Sequence, residues 1–184
     1  MTGNLTIPGI EEHLITAEKE FTNFCSSLTE EQFFYQPEGK WSPAQQVKHL
    51  ITATNMSRLP FILPGFIVRL IFGKPNRKSR TYDELVAKYK MKLEQGGSAS
   101  GRYVPKPVPA TYGKEKLLDQ FTKAMKKFTL AMKKNGNESM PDSYLAAHPL
   151  LGKITLRELC YFTIYHTKHH LQNIRTLTES KKPA

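Results

Sequence analysis

Cysteine is scarce in this chain: two among 184 residues, Cys25 and Cys160, far apart and in no CxxC pair. That excludes a disulfide framework and a thiolate zinc cluster, and it suits a reducing cytoplasm. Acidic residues are also few, 16 against 27 lysines and arginines, which leaves a net charge of +11. The basic residues are scattered through Arg77-Lys78-Ser79-Arg80, Lys126-Lys127, Lys133-Lys134 and Lys181-Lys182, with no interleaved aromatics and no nucleic-acid motif. Solvated helix faces and a basic tail account for them, and nucleic acid is not an expected partner. Long apolar runs are missing too. The most hydrophobic stretch, Leu59 to Phe72, contains Pro60, Pro64 and Arg69. It falls short of the roughly 20 apolar residues of a bilayer-spanning helix, so no membrane partner is expected. It reads instead as buried, or as a surface that covers a pocket or a partner subunit. The N-terminus has no basic region followed by an apolar core, so no signal peptide is expected.

What is present reads as helix. At 39% hydrophobic content the chain suits one compact domain spanning residues 1–184. A first helix is expected from about Ile10 to Ser27, with Leu14, Ala17, Phe21 and Phe24 at helical spacing. Ser42-Pro43, with Gln45 completing a capping box, opens a second that continues to about Arg58. A short apolar helix broken at Pro64-Gly65 fits 61–72, and Thr81 with Glu84 caps another that ends near Gln95. Gly96 to Gly101 and Val104 to Pro109 form a linker, flexible and then extended. A third long helix is expected over Lys114 to Lys134 with Asn135-Gly136 as its C-terminal cap, and Thr155 with Glu158 caps a last one reaching about Leu177. No segment alternates well enough to be a core strand. The expected fold is all-α: an antiparallel four-helix bundle with a long middle crossover holding extra short helices.

The chemistry-bearing residues are histidines. On the last helix, Leu156, Leu159, Thr163, His166, His170, Ile174 and Leu177 recur at intervals of three and four. Residues four apart share a helix face, with Cβ atoms roughly 5–6 Å apart. His166 and His170 can therefore hold one metal ion, or else be two core histidines bonded to backbone or water. A third ligand must then come from elsewhere, and His49 is the best candidate, although it points away from the Val47, Leu50, Ile51 and Thr54 stripe of its own helix. His169 points about 100° away from His170. His13 falls near the start of the first helix, where solvation is expected. His148 sits before Pro149 in a loop that could approach a site at the bundle end. Thr167 stands where a zincin places glutamate, which argues against classical metalloprotease chemistry. Three neutral nitrogens with open positions are the pattern of a catalytic rather than a structural metal site.

Trp41-Ser42-Pro43-Ala44-Gln45-Gln46-Val47-Lys48-His49-Leu50, with Leu156-Arg157-Glu158 and His166-x-x-x-His170-Leu171-Gln172, resembles the DinB-like superfamily over nearly the whole chain. The resemblance implies a four-helix bundle whose second helix supplies one metal-binding histidine and whose last supplies two, here His49, His166 and His170. It also implies a divalent metal, zinc or nickel, and a homodimer. Characterised members of the family include thiol S-transferases that use low-molecular-weight thiols such as bacillithiol, and a mycothiol-dependent maleylpyruvate isomerase. The segment from Leu59 to Pro109 falls outside the matching pattern. The leading expectation is a metal-dependent thiol S-transferase acting on a small-molecule substrate, with Arg157 or Lys153 as candidates to meet carboxylates of a thiol cofactor. Tyr161 and Tyr165 fall near these, with packing as their expected role. The alternatives are a metal-dependent hydrolase and a non-catalytic, stress-related metal- or ligand-binding bundle.

Overall fold

The computed structural model describes residues 4–134 and 140–179. The first helix, α1 (Ile7–Ser27), begins a turn earlier than its apolar spacing predicts. Thr6 is its N-cap, accepting from the Gly9 amide, and Pro8 occupies the first turn, where a missing N–H costs nothing. The connection after it contains a single-turn helix, α2 (Glu30–Phe34), built on a Thr29–Gln32 capping box.

Ser42 and Gln45 cap α3 (Pro43–Ile62) in the expected reciprocal way, at 3.1 and 2.9 Å. The helix runs through Pro60 instead of stopping at Arg58: the proline forfeits its bond to the Met56 carbonyl, and the burial of Pro60 and Phe61 offsets that loss. At Pro64 the chain bends by 114° into α4 (Gly65–Phe72). Gly65 is required there, since a Cβ would lie within 3 Å of the Tyr144 ring. Next comes α5 (Tyr82–Glu94), with the Thr81–Glu84 capping box in place. The linker holds single 3-10 turns at Gly101–Tyr103 and Ala110–Tyr112. It leads into α6 (Lys114–Lys134), whose expected cap at Asn135-Gly136 lies outside the described residues.

One expectation is corrected. A small antiparallel hairpin, β1 (Leu145–His148) and β2 (Gly152–Thr155), precedes the last helix. Four-residue strands are too short to show an alternating pattern in sequence, and the turn closes through Gly152 at φ 73°. The last helix, α7 (Leu156–Glu179), starts at the Thr155–Glu158 box.

The four long helices close into a ring: α3 packs on α6, α6 on α1, α1 on α7 and α7 on α3. Phe21, Phe121, Phe61 and Phe128 fill the interior, and the architecture is an all-α helical bundle. Outside the ring, α5 lies on α7 and α4 on β1, while the 101–103 turn covers α3. These additions matter for function, because they wall in a cleft beside the histidines. Among the described residues, no single helix is long and apolar enough to cross a membrane.

Candidate metal centre

His49 on α3 meets His166 and His170 on α7, and one nitrogen from each lies within 4.8 Å of the others. The contacts are direct. His166 Nε2 is 3.0 Å from His49 Nε2 and 3.1 Å from His170 Nε2. All three side chains are buried, with only 5–6% of each residue exposed.

His49 reaches the cluster although it lies off its helix's main apolar stripe. Because α3 is enclosed by α6, α7 and the 101–103 turn, nearly every position from Pro43 to Thr54 is buried, and the off-stripe face is interior as well. A helix buried all round has no single apolar face to read from sequence.

The outer nitrogens settle which lone pairs face inward. His49 Nδ1 is 2.6 Å from the Tyr103 carbonyl, and His170 Nδ1 is 2.9 Å from the Gln46 side-chain oxygen. Oxygens of this kind only accept, so both Nδ1 atoms carry the proton and both Nε2 atoms present bare lone pairs. His166 Nε2 can offer one proton at most. At least one of its two close contacts therefore sets lone pair against lone pair, and a cation at the centre would relieve that conflict. Burial drives all three imidazoles towards the neutral form; mutual proximity adds to the effect at His166, whose pKa lies well below the usual histidine value, as does that of His170. Neutral nitrogens are what a metal requires. Donors roughly 2.0–2.1 Å from one zinc ion sit about 3.3 Å apart in a tetrahedron, close to the 3.0 and 3.1 Å that separate His166 from its two neighbours, while the whole group spans no more than 4.8 Å. The donor set fits a divalent ion.

Aromatic rings brace the cluster. Trp41 lies parallel to the His170 ring, 6.3 Å between centroids, and Phe162 stacks on His166 at 4.7 Å. His148 and His169 border the same cleft without joining the group. The His148 Nδ1 accepts from the Leu150 and Leu151 amides, and burial lowers its pKa to about 4. His169 is bonded to Asn173 at 3.2 Å. Both cysteines are buried, and burial pushes their thiols up, Cys25 to about 12. Neither thiol is a ready nucleophile.

Arg157 and Lys153, the candidates to meet a thiol cofactor's carboxylates, stand apart from the cleft. Arg157 is held by Asp142 and by the Leu5 carbonyl. Of the two tyrosines, Tyr161 accepts from the Leu5 amide and packs on Tyr82. Conversely, sequence reasoning assigned no role to Gln46, Tyr103, Tyr89 or Phe162. Gln46 had a usable signal, since it precedes His49 by three residues and shares its helix face. The Tyr103 carbonyl had none, because it belongs to a loop.

Fold and site together define a helical bundle carrying a buried three-histidine cluster between its second and last long helices. The DinB superfamily model matches residues 13–174, and the chain belongs to that superfamily. No curated protein gives a significant match.

Proposed function

We propose that this protein is a metal-dependent thiol S-transferase. In it His49, His166 and His170 bind one divalent ion, zinc or nickel, within a single domain spanning the chain. The convergence of three Nε2 atoms at the wall of a large cleft carries the reading. A divalent ion there supplies positive charge that favours the deprotonated form of a thiol. The chain's own groups do the rest. The Tyr103 carbonyl and the Gln46 amide hold two of the rings in the required tautomer, and apolar walls keep water from competing with the sulfur. The thiol gives its proton to solvent, its sulfur forms a carbon–sulfur bond on the electrophile, and the bond to the electrophile's leaving group breaks, the group departing with the electron pair (chloride from an aryl chloride).

A second observation favours transfer over hydrolysis. Among the described residues no aspartate or glutamate lines the cleft, so a carboxylate base for water is missing. Instead, Trp41 and His170 border two clefts, the second more polar than the first. One is large and apolar; the other, about 450 Å³, includes Lys40, Gln46 and Asn173. A reaction that joins a polar thiol to an apolar electrophile uses both. The family's homodimer has a candidate face in α4, where Phe66 and Leu70 stand exposed, and the two unpaired buried cysteines suit the cytoplasm.

Consumption of a low-molecular-weight thiol with 1-chloro-2,4-dinitrobenzene tests the activity. The rate should fall to the uncatalysed level on chelation and return with zinc or nickel. Conjugation indifferent to chelator, or never above background with several thiols, would reject the transferase. The orienting role of Gln46 has its own expected result. Gln46→Leu should weaken zinc binding about 10–100-fold, the usual cost of losing a group that orients a ligand, in a competition titration.

A further inference from the structure

The large cleft beside the histidines has a volume of about 680 Å³, within the roughly 300–1,000 Å³ typical of small-molecule sites. Trp41, Met56, Leu63, Phe72, Tyr89 and Phe162 supply much of its wall. Its polar groups are neutral: hydroxyls such as those of Ser57, Ser98 and Ser100, and the rings of His148 and His169. Among the described residues no lysine, arginine, aspartate or glutamate lines it, in a chain carrying 27 basic and 16 acidic residues.

Three arginines near the start of the last helix are paired with carboxylates: Arg77 and Arg80 with Glu158, and Arg157 with Asp142. Arg102 touches the Met56 sulfur at 3.7 Å from an exposed position without lining the cleft. An anion in the apolar part would thus be stripped of water with no charged side chain in the lining to pair with it, which is strongly unfavourable. Leu63 and Ile71 line the cleft and are also 37% and 55% exposed, so an apolar path leads in from the surface.

We propose that this cleft takes a neutral, largely apolar small molecule, with its one polar head group towards the histidines and its body along α3 and α4. In the transferase this ligand is the electrophile, not the thiol. The assignment rests on the preceding reading only for that role and for the head group's partner; the apolar walls select the body without a metal.

Two fluorescent probes with the same ring system test it: neutral N-phenyl-1-naphthylamine and anionic 1-anilinonaphthalene-8-sulfonate. Metal-free full-length protein should bind one neutral probe per chain, at least about tenfold more tightly than the sulfonate, despite the +11 net charge. Met56→Lys, which places a cation in the wall, and Ala147→Trp, which fills space from an exposed lining position, should each weaken the neutral probe by about tenfold or more. Circular dichroism checks that both variants fold. Equal or tighter sulfonate binding, no binding of the neutral probe, or unchanged binding in a folded variant overturns the proposal. Zinc titration in parallel separates the two readings. Probe binding without zinc binding removes the metal and keeps the apolar site, and zinc binding without probe binding does the reverse.

Discussion

His166→Ala should abolish tight zinc or nickel binding while leaving the metal-free fold nearly as stable as before. His166 touches both other imidazoles, at 3.0 and 3.1 Å, so its removal leaves two nitrogens on different helices. The loss in affinity should exceed about 100-fold, the upper range for changes that only misorient a ligand. In wild-type protein, metal at 100 times its Kd stabilises the fold by about 2.7 kcal/mol. For a chain of this size that is a rise of roughly 5–10 °C in Tm, and the variant should show none. The metal-free variant should be little affected for two reasons. Truncation relieves a conflict between lone pairs, and it enlarges an open cleft rather than leaving a sealed cavity. If the three histidines were only core residues bonded to one another, the pattern would reverse. Metal would not shift Tm in either protein, and the variant would lose about 1–3 kcal/mol through unpaired buried nitrogens. Elemental analysis together with melting curves, with and without zinc, distinguishes the cases.

Glu158→Gln should destabilise the fold by about 1.5–3 kcal/mol, the range for lost hydrogen bonds to a charged group, since water screens the partly exposed arginines left behind. The Glu158 side chain is fully buried, and every contact it makes is with a donor. It accepts from the Arg77 guanidinium at 2.6 and 2.8 Å, from the Arg80 amide at 2.7 Å and its guanidinium at 3.2 Å, and from the Thr155 amide at 3.0 Å. Glutamine keeps the shape but turns an NH2 towards those donors and leaves both arginines without their anion. The residue joins three parts of the structure: the start of α7, the end of β2 and the segment before α5. Loosening it should therefore also slacken the wall of the cleft.

The pH dependence follows from the same contacts. Burial alone would raise the Glu158 pKa, but the Arg77 bond and the Arg80 and Thr155 amides outweigh it and hold the group below its ordinary 4.5. A carboxyl depressed in the folded state contributes stability that is complete above pH 4.5 and is lost as pH falls through the folded value. The gap in Tm between wild type and Glu158→Gln should thus be constant near neutrality and narrow below pH 4.5. A gap that stays the same down to pH 3 would mean that the charge contributes nothing.

Much of this architecture was legible locally. The capping boxes at Ser42, Thr81 and Thr155 form as their sequences indicate, since each is a contact over three residues. The inward face of α6, from Leu117 to Met132, follows from an apolar spacing that one buried face imposes. The misses have a common cause. Pro8 and Pro60 look like helix boundaries, yet Pro8 occupies the first turn, where proline is tolerated, and Pro60 is carried inside the helix by burial against the rest of the fold. The β1–β2 pairing joins two four-residue segments with no periodicity of their own. Arg157 looked available for a ligand because nothing in its neighbourhood reveals Asp142, 15 residues away, as its partner.

By itself, the sequence determined the helical bundle, the caps that start its helices, and the placement of His166 and His170 on one buried face. All of these depend on interactions within about one helical turn, which order of residues alone sets. Tertiary structure decided the rest. It brought His49 against His166 across 117 residues, set the Gln46 and Tyr103 oxygens behind two of the rings, and left the cleft beside them without a charged wall. Those outcomes depend on how α3 seats against α7 and on where the 101–103 turn and α4 come to rest, and contacts made at such distances leave no periodic trace in the chain.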